Sequence, residues 1–112
     1  MGIAEMMGKL SVAVVTCDAD FKVTYANPKC EQIFKELLNM ENFVGRPMAE
    51  CHKPETMEKL QKLLQDYKDH TRKLDYYRMD VPGGKLTIVN VPFYEGKTLA
   101  GVMEFIFEDA LA

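Results

Sequence analysis

No apolar run in this chain approaches the roughly 20 residues that a membrane-spanning helix needs, so a membrane-embedded protein is not expected. Nor is there an excess of one charge. The 112 residues carry 14 basic and 17 acidic side chains, a net charge of −3, with the signs interspersed. That leaves no electrostatic footprint for nucleic acid or for an anionic lipid surface. The opening, MGIAEMMGKL, lacks the basic n-region and long apolar h-region of a signal peptide. Met6 stands where a myristoylation signal at Gly2 prefers Ser or Thr. Cysteine is sparse: Cys17, Cys30 and Cys51 are odd in number and form no CxxC. This argues against a disulfide framework or a structural zinc site and for a reducing compartment, so a cytoplasmic protein is expected. Signatures of catalysis are missing too. There is no G-x-S-x-G, and Cys51-His52 are sequence neighbours, which rarely have the geometry a nucleophile and its base need. No enzyme is expected.

What is present suits one packed domain. Hydrophobic residues make up 47% and charged residues 28%. LSVAVVTCD (10–18) is apolar and β-branched, and KVTYAN (22–27) follows a short turn, so the two read as a hairpin. Asn27 then offers an N-cap and Pro28 a first helical residue, with Ile33, Phe34, Leu37 and Leu38 as the apolar face. NMENFVGRPM is irregular, broken by Gly45 and Pro47. The spacing of Met57, Leu60, Leu64 and Tyr67 predicts a longer helix over 53–70, with Pro54 and Glu55 at its start. Three strands follow, at 71–81, 85–93 and 99–109, separated by PGG and YEGKT turns. The expected fold is α+β, in the order β-β-α-α-α-β-β-β. A five-stranded antiparallel sheet has its helices packed on one face. Residues 1–8 read as a lead-in, 9–109 as the domain and 110–112 as a tail.

That order, with the residues at its joints, resembles the PAS domain family. VAVVTCDADFKVTYANPKCEQIF resembles the family's opening hairpin running into an Asn at a helix start, and FVGRPMAE its V-G-R/K segment before the long helix. VPFYEGKTLAGVMEFIFED resembles its closing hairpin, with Gly96 and Gly101 in place. CHKPET resembles a subgroup with Cys-His-Pro-Pro at this joint, with Lys53 replacing the first Pro. The resemblance spans about residues 9–109 and implies a sensory or interaction module. Its pocket holds heme, flavin, an organic acid, a fatty acid or nothing, and its signal passes through a dimer interface to an output domain or protein partner. It also implies no catalysis by the domain itself.

The fold does not name the ligand, so each site is weighed on its residues. Flavin chemistry of the light-sensing type needs a Cys where this chain has Met48, and Pro47 stands at the Asn before it, so flavin is not expected. The usual axial heme His of the family's oxygen sensors aligns near Leu60. His52 stays as another candidate heme ligand, with Cys51, Met48 and Met57 as nearby soft donors. The plainer reading is that His52 flanks the helix and bonds backbone. His70 is expected in the last helical turn, where its cation would suit the dipole. No CxxCH is present for covalent heme.

Eight Met residues suggest either plain core filling or an adaptable apolar pocket. The candidate lining is Met48, Met57, Leu60, Leu64, Tyr77, Met79, Ile88, Asn90, Met103 and Phe105. Asn90, alone in an apolar strand, either points into that pocket or out to solvent. In LAGVMEFIFED, Leu99, Met103, Phe105 and Phe107 read as one face and Ala100, Val102 and Ile106 as the other. A strand apolar on both faces predicts a patch covered by a partner. A homodimer through this patch and a short helix at IAEMMGKL is expected. The alternative is a pure dimerisation or protein-interaction module with a filled core.

Overall fold

The computed structural model describes residues 1–47 and 54–109. A short helix α1 (Ile3–Gly8) precedes strands β1 (Ala13–Asp18) and β2 (Val23–Ala26), which pair antiparallel with Val15 opposite Ala26. The Asp18 carboxylate accepts the N–H groups of Asp20 and Lys22 at 2.9 and 3.0 Å and so closes the turn. Within that turn Phe21 has φ of +61°, a strained backbone for a bulky residue. Its ring packs against the buried cluster of Cys17, Leu64, Tyr67, Leu99 and Val102, which holds it there.

Helix α2 (Pro28–Leu38) starts as the sequence predicts, but Asn27 does more than cap it. Its Oδ1 accepts from the Cys30 N–H at 3.0 Å and from the Val14 N–H at 2.9 Å. Its Nδ2 donates to the carbonyls of Met7 at 3.1 Å and Val12 at 2.9 Å. A single amide, itself fully buried, thus ties α1, β1 and α2 together. The helix ends at Asn39 in the left-handed region, a position that asparagine tolerates. Phe43 then stacks on Phe34 with centroids 4.6 Å apart. Val23 donates to the Arg46 carbonyl and accepts from Gly45, and Lys22 bridges to Pro47, so residues 45–47 cover the outer edge of β2 at its first residue.

Helix α3 (Pro54–Lys68) buries Leu60, Leu64 and Tyr67, the expected stripe, with Met57 half-buried. Between β2 and β3 the described residues form α2 and α3 only; the third helix expected there falls on a stretch that includes residues 48–53, outside the described residues. His70 is not in the last helical turn. It lies beyond the helix with φ of +58°, because the Thr71 N–H and hydroxyl both bond the Asp66 carbonyl and turn the chain away. Its ring stacks on Tyr94, and its Nε2 lies 3.0 Å from the Lys97 carbonyl oxygen. That turn also delays the next strand, so β3 (Asp75–Val81) starts later than the apolar pattern suggests.

Strands β4 (Gly84–Glu95) and β5 (Thr98–Phe107) complete an antiparallel sheet of order β2-β1-β5-β4-β3. The register slips between Phe93 and Tyr94: Phe93 faces Gly101 while Tyr94 faces Leu99. The extra residue, Ala100, is a bulge that reverses the side-chain alternation. Leu99 therefore joins Val102 in the buried core rather than sharing a face with Met103, Phe105 and Phe107 as the plain alternation implies. Gly101 is required here. A Cβ on it would lie 2.3 Å from the Cys17 carbonyl oxygen and 2.6 Å from the Phe93 ring.

Two substitutions test this account. Asn27→Ala removes a cap and leaves the Val14 N–H buried without its acceptor, and is expected to cost about 3 kcal/mol in urea unfolding. Gly101→Ala must displace strand backbone and is expected to cost about 2–3 kcal/mol. A loss below about 0.5 kcal/mol for either would contradict the packing described.

Candidate functional site

The inner face of the sheet is organised by one cross-strand row. Register places Val15 of β1 opposite Glu104 of β5, Glu104 opposite Asn90 of β4, and Asn90 opposite Asp75 of β3. Three of the four are polar or acidic. Above them the Tyr67 hydroxyl donates to Asn90 Oδ1 at 2.8 Å and lies 3.1 Å from the Asn90 carbonyl oxygen, while Asn90 Nδ2 donates to Glu104 Oε1 at 3.2 Å. Asn90 is thus turned inward, and its amide is satisfied on both sides. The row is a seam. On one side lies the cluster of Cys17, Leu64, Tyr67, Leu99 and Val102; on the other a larger cluster packs under α2 around Ile33, Phe43, Ile88 and Ile106.

A cavity of about 150 Å³ lies within the second cluster. Helix α2 gives it Ile33, Phe34 and Leu37; Phe43 closes one end; the sheet gives Val15, Val23, Leu86, Ile88 and Ile106. Tyr77, Met79 and Val81 of β3 form the far wall, and Glu104 is the one carboxylate on its lining among the described residues. Glu104 also lines a small void of about 20 Å³ across the seam, with Cys17, Phe21, Leu60 and Asn90. A groove of about 590 Å³ runs between α3 and β3 and shares Tyr77 and Met79 with the cavity.

Tyr77, Met79 and Ile88 therefore stand on the cavity wall, and Leu60 and Asn90 on the void beside it. Leu64 belongs to the other cluster, and Met57 is not among the residues lining the cavity. Met103 and Phe105 are directed to the opposite face of the sheet, since Met103 pairs with Thr16 and Val91, and Phe105 with Val14 and Val89. Alternation counted from Leu99 across the bulge misassigns them. Met48, Cys51 and His52 fall outside the described residues. Glu104 is the residue that the apolar pattern hides. Its signal is that it is the sole charged side chain between Thr98 and Phe107.

Electrostatics follow from the seam. Burial pushes the Cys17 and Cys30 thiols up from 9.0 to about 12, with Glu104 adding to both. The Tyr67 hydroxyl is pushed up from 10.0 to about 12, chiefly by burial and then by Asp75. Tyr77 is also raised, by burial around its hydroxyl and by Glu104 and Asp75, although the residue as a whole is partly exposed. These thiols are poor nucleophiles. Among the described residues no group of three His, Cys, Asp or Glu side chains is placed to hold a metal ion, and no helix is long and apolar enough to cross a membrane.

The sequence profile of the PAS domain family matches residues 3–109, so the chain belongs to that family of sensory domains. Solved structures share the fold at low identity. A C-terminal domain from Streptococcus mutans matches with a TM-score of 0.75 at 18% identity, over 94% of this chain and 81% of that one. The PAS domain of Bordetella pertussis BvgS matches at 0.70 and 12% identity, over 97% and 85%. A sensory box sensor histidine kinase from Vibrio cholerae matches at 0.64 and 13%, over 98% and 90%. No curated protein matches the chain by sequence.

The raised thiols and tyrosines set an alkaline limit on stability. Unfolded thiols lose protons near pH 9 and unfolded tyrosines near pH 10, while the native groups hold theirs to about pH 12. Between those values the unfolded chain binds fewer protons, so stability is full below pH 9 and falls as pH rises toward 12. Urea midpoints between pH 8 and 11 should show this decline. Replacing Cys17 and Cys30 together by Ala should flatten its first part, between pH 9 and 10. An unchanged slope would refute the assignment to the thiols.

Proposed function

We propose that this PAS domain senses a small, largely apolar molecule held in the cavity under α2 and relays occupancy through a homodimer to a signalling output domain or partner protein. The observation that carries the reading is the cavity itself: about 150 Å³ bounded mostly by aliphatic and aromatic side chains of the cluster under α2. An apolar void of about 150 Å³ is large enough for a benzene-sized guest. The relay has a short path. Ile88 and Ile106 line the cavity, while their strand neighbours Val89 and Phe105 face the other side of the sheet. That outer face also exposes Tyr76 and Phe93, and α1 exposes Ile3 and Met6. A dimer formed by residues 1–8 and this face would bury them.

The described lining does not fit a heme. Its volume is well below the roughly 300 Å³ at which pockets for drug-sized ligands begin, and the heme-ligand types on the described lining are the Met79 thioether and the Tyr77 phenol, with no imidazole or thiol beside them. No step is therefore assigned to a heme or a flavin.

Toluene titrated into protein labelled at its Ile and Val methyls tests the cavity. Saturable shifts at Ile33, Ile88 and Ile106 are expected, with a gain in stability of about 2.7 kcal/mol at a hundredfold excess over Kd. Ile88→Phe, which fills the space, should abolish both. No saturable shift would favour the alternative, an interaction module with a filled core. Sedimentation velocity at micromolar concentration should show a dimer; monomer alone would remove the relay.

A further inference from the structure

The cavity wall contains one residue that apolar sensing does not account for. Glu104 sits mid-strand on β5, on the inner face, with Val15 and Asn90 as its cross-strand neighbours. It reaches the cavity on one side of the seam and the small void on the other. A carboxylate placed against aliphatic walls is costly unless hydrogen-bonded. Asn90 Nδ2 supplies one bond at 3.2 Å, and the Tyr67 hydroxyl fixes the orientation of that amide by bonding its oxygen. The carboxylate is thus aimed rather than loose.

We infer that Glu104 is a specificity residue, and that the ligand is a small apolar molecule carrying one N–H or O–H donor, a primary amine or a hydroxyl, rather than a pure hydrocarbon or an anion. This rests on the cavity reading given above. A carboxylate accepts up to about four hydrogen bonds, so it takes a guest's donor alongside its existing contacts. Bonds to an ionised acceptor are about twice as strong as neutral ones. The cavity volume limits the guest to about the size of one aromatic ring with a short substituent. The described lining includes no Lys or Arg, so nothing there favours a carboxylate guest, and Glu104 repels one. Tyr77, on the same wall, is the second polar group available to a hydroxyl or amine head.

Affinities of toluene, phenol, benzylamine and benzoate for the intact chain test this. Phenol or benzylamine should bind at least about tenfold tighter than toluene, with benzoate weakest. Benzylamine ahead of phenol identifies a cationic head, and the reverse order a hydroxyl; either supports the inference. In Glu104→Gln, which keeps shape and the acceptor oxygen but not the charge, the advantage of benzylamine over toluene should fall at least about tenfold. Glu104→Leu should erase the advantage of both donors while leaving toluene binding intact. Toluene binding as tightly as both donors to the native chain would overturn the role of Glu104 and leave the cavity reading standing. Failure of all four to bind would overturn both.

Discussion

The hydrogen-bonded chain from Tyr67 through Asn90 to Glu104 is the constraint around which this domain is arranged. A buried amide and a carboxylate in the middle of a sheet must find partners or destabilise it. Tyr67 can serve only if α3 lies across the sheet at the level of Asn90, so the polar row fixes where that helix sits. The two apolar clusters then form on either side of the row instead of merging into one core. Space remains in the cluster under α2, and the carboxylate stands at its border.

Strand geometry connects that interior to the surface. Adjacent residues on a strand point to opposite faces, so Glu104 and Phe105, or Ile88 and Val89, place the cavity and the outer surface one residue apart. A ligand can move the equilibrium between two packings only through differential contacts with them. In the proposed reading such contacts would fall on β4 and β5, which line the cavity and also carry the apolar outer side. Asn27 adds a second connection, since the amide that starts α2 also holds the Met7 carbonyl and the β1 backbone.

Much of this was legible in the residues. Asn27-Pro28 marked a helix start, the stripe at Leu60, Leu64 and Tyr67 marked a buried helix face, and the Gly96 turn marked the last hairpin. The PAS resemblance rested on the order of such joints rather than on any one. What failed was parity. Alternation holds only while pairing is regular, and the slip at Ala100 moves Leu99 to the side of Val102 and sets Met103 and Phe105 on the other. No composition rule marks a bulge there; the small residues Ala100 and Gly101 are its only trace. The sequence hides Glu104, because a charge in an apolar strand reads as solvent-facing until register sets it beside Asn90. Periodicity also carries the helix through His70, whereas the chain leaves it before that residue, where Thr71 bonds back to Asp66.

The edges of the sheet are unequal. Residues 45–47 lie beside the start of β2 and take up the Val23 backbone groups, whereas β3 pairs only with β4 among the described residues. A sheet with two open edges can polymerise, because each added copy offers a fresh edge to the next. A sheet with one can extend itself only by joining that edge to its twin about a twofold axis, and that union consumes both free edges. The loop after α2 therefore makes the two edges unequal as templates: an incoming strand meets chain already seated beside Val23 at one edge and only backbone at β3 among the described residues.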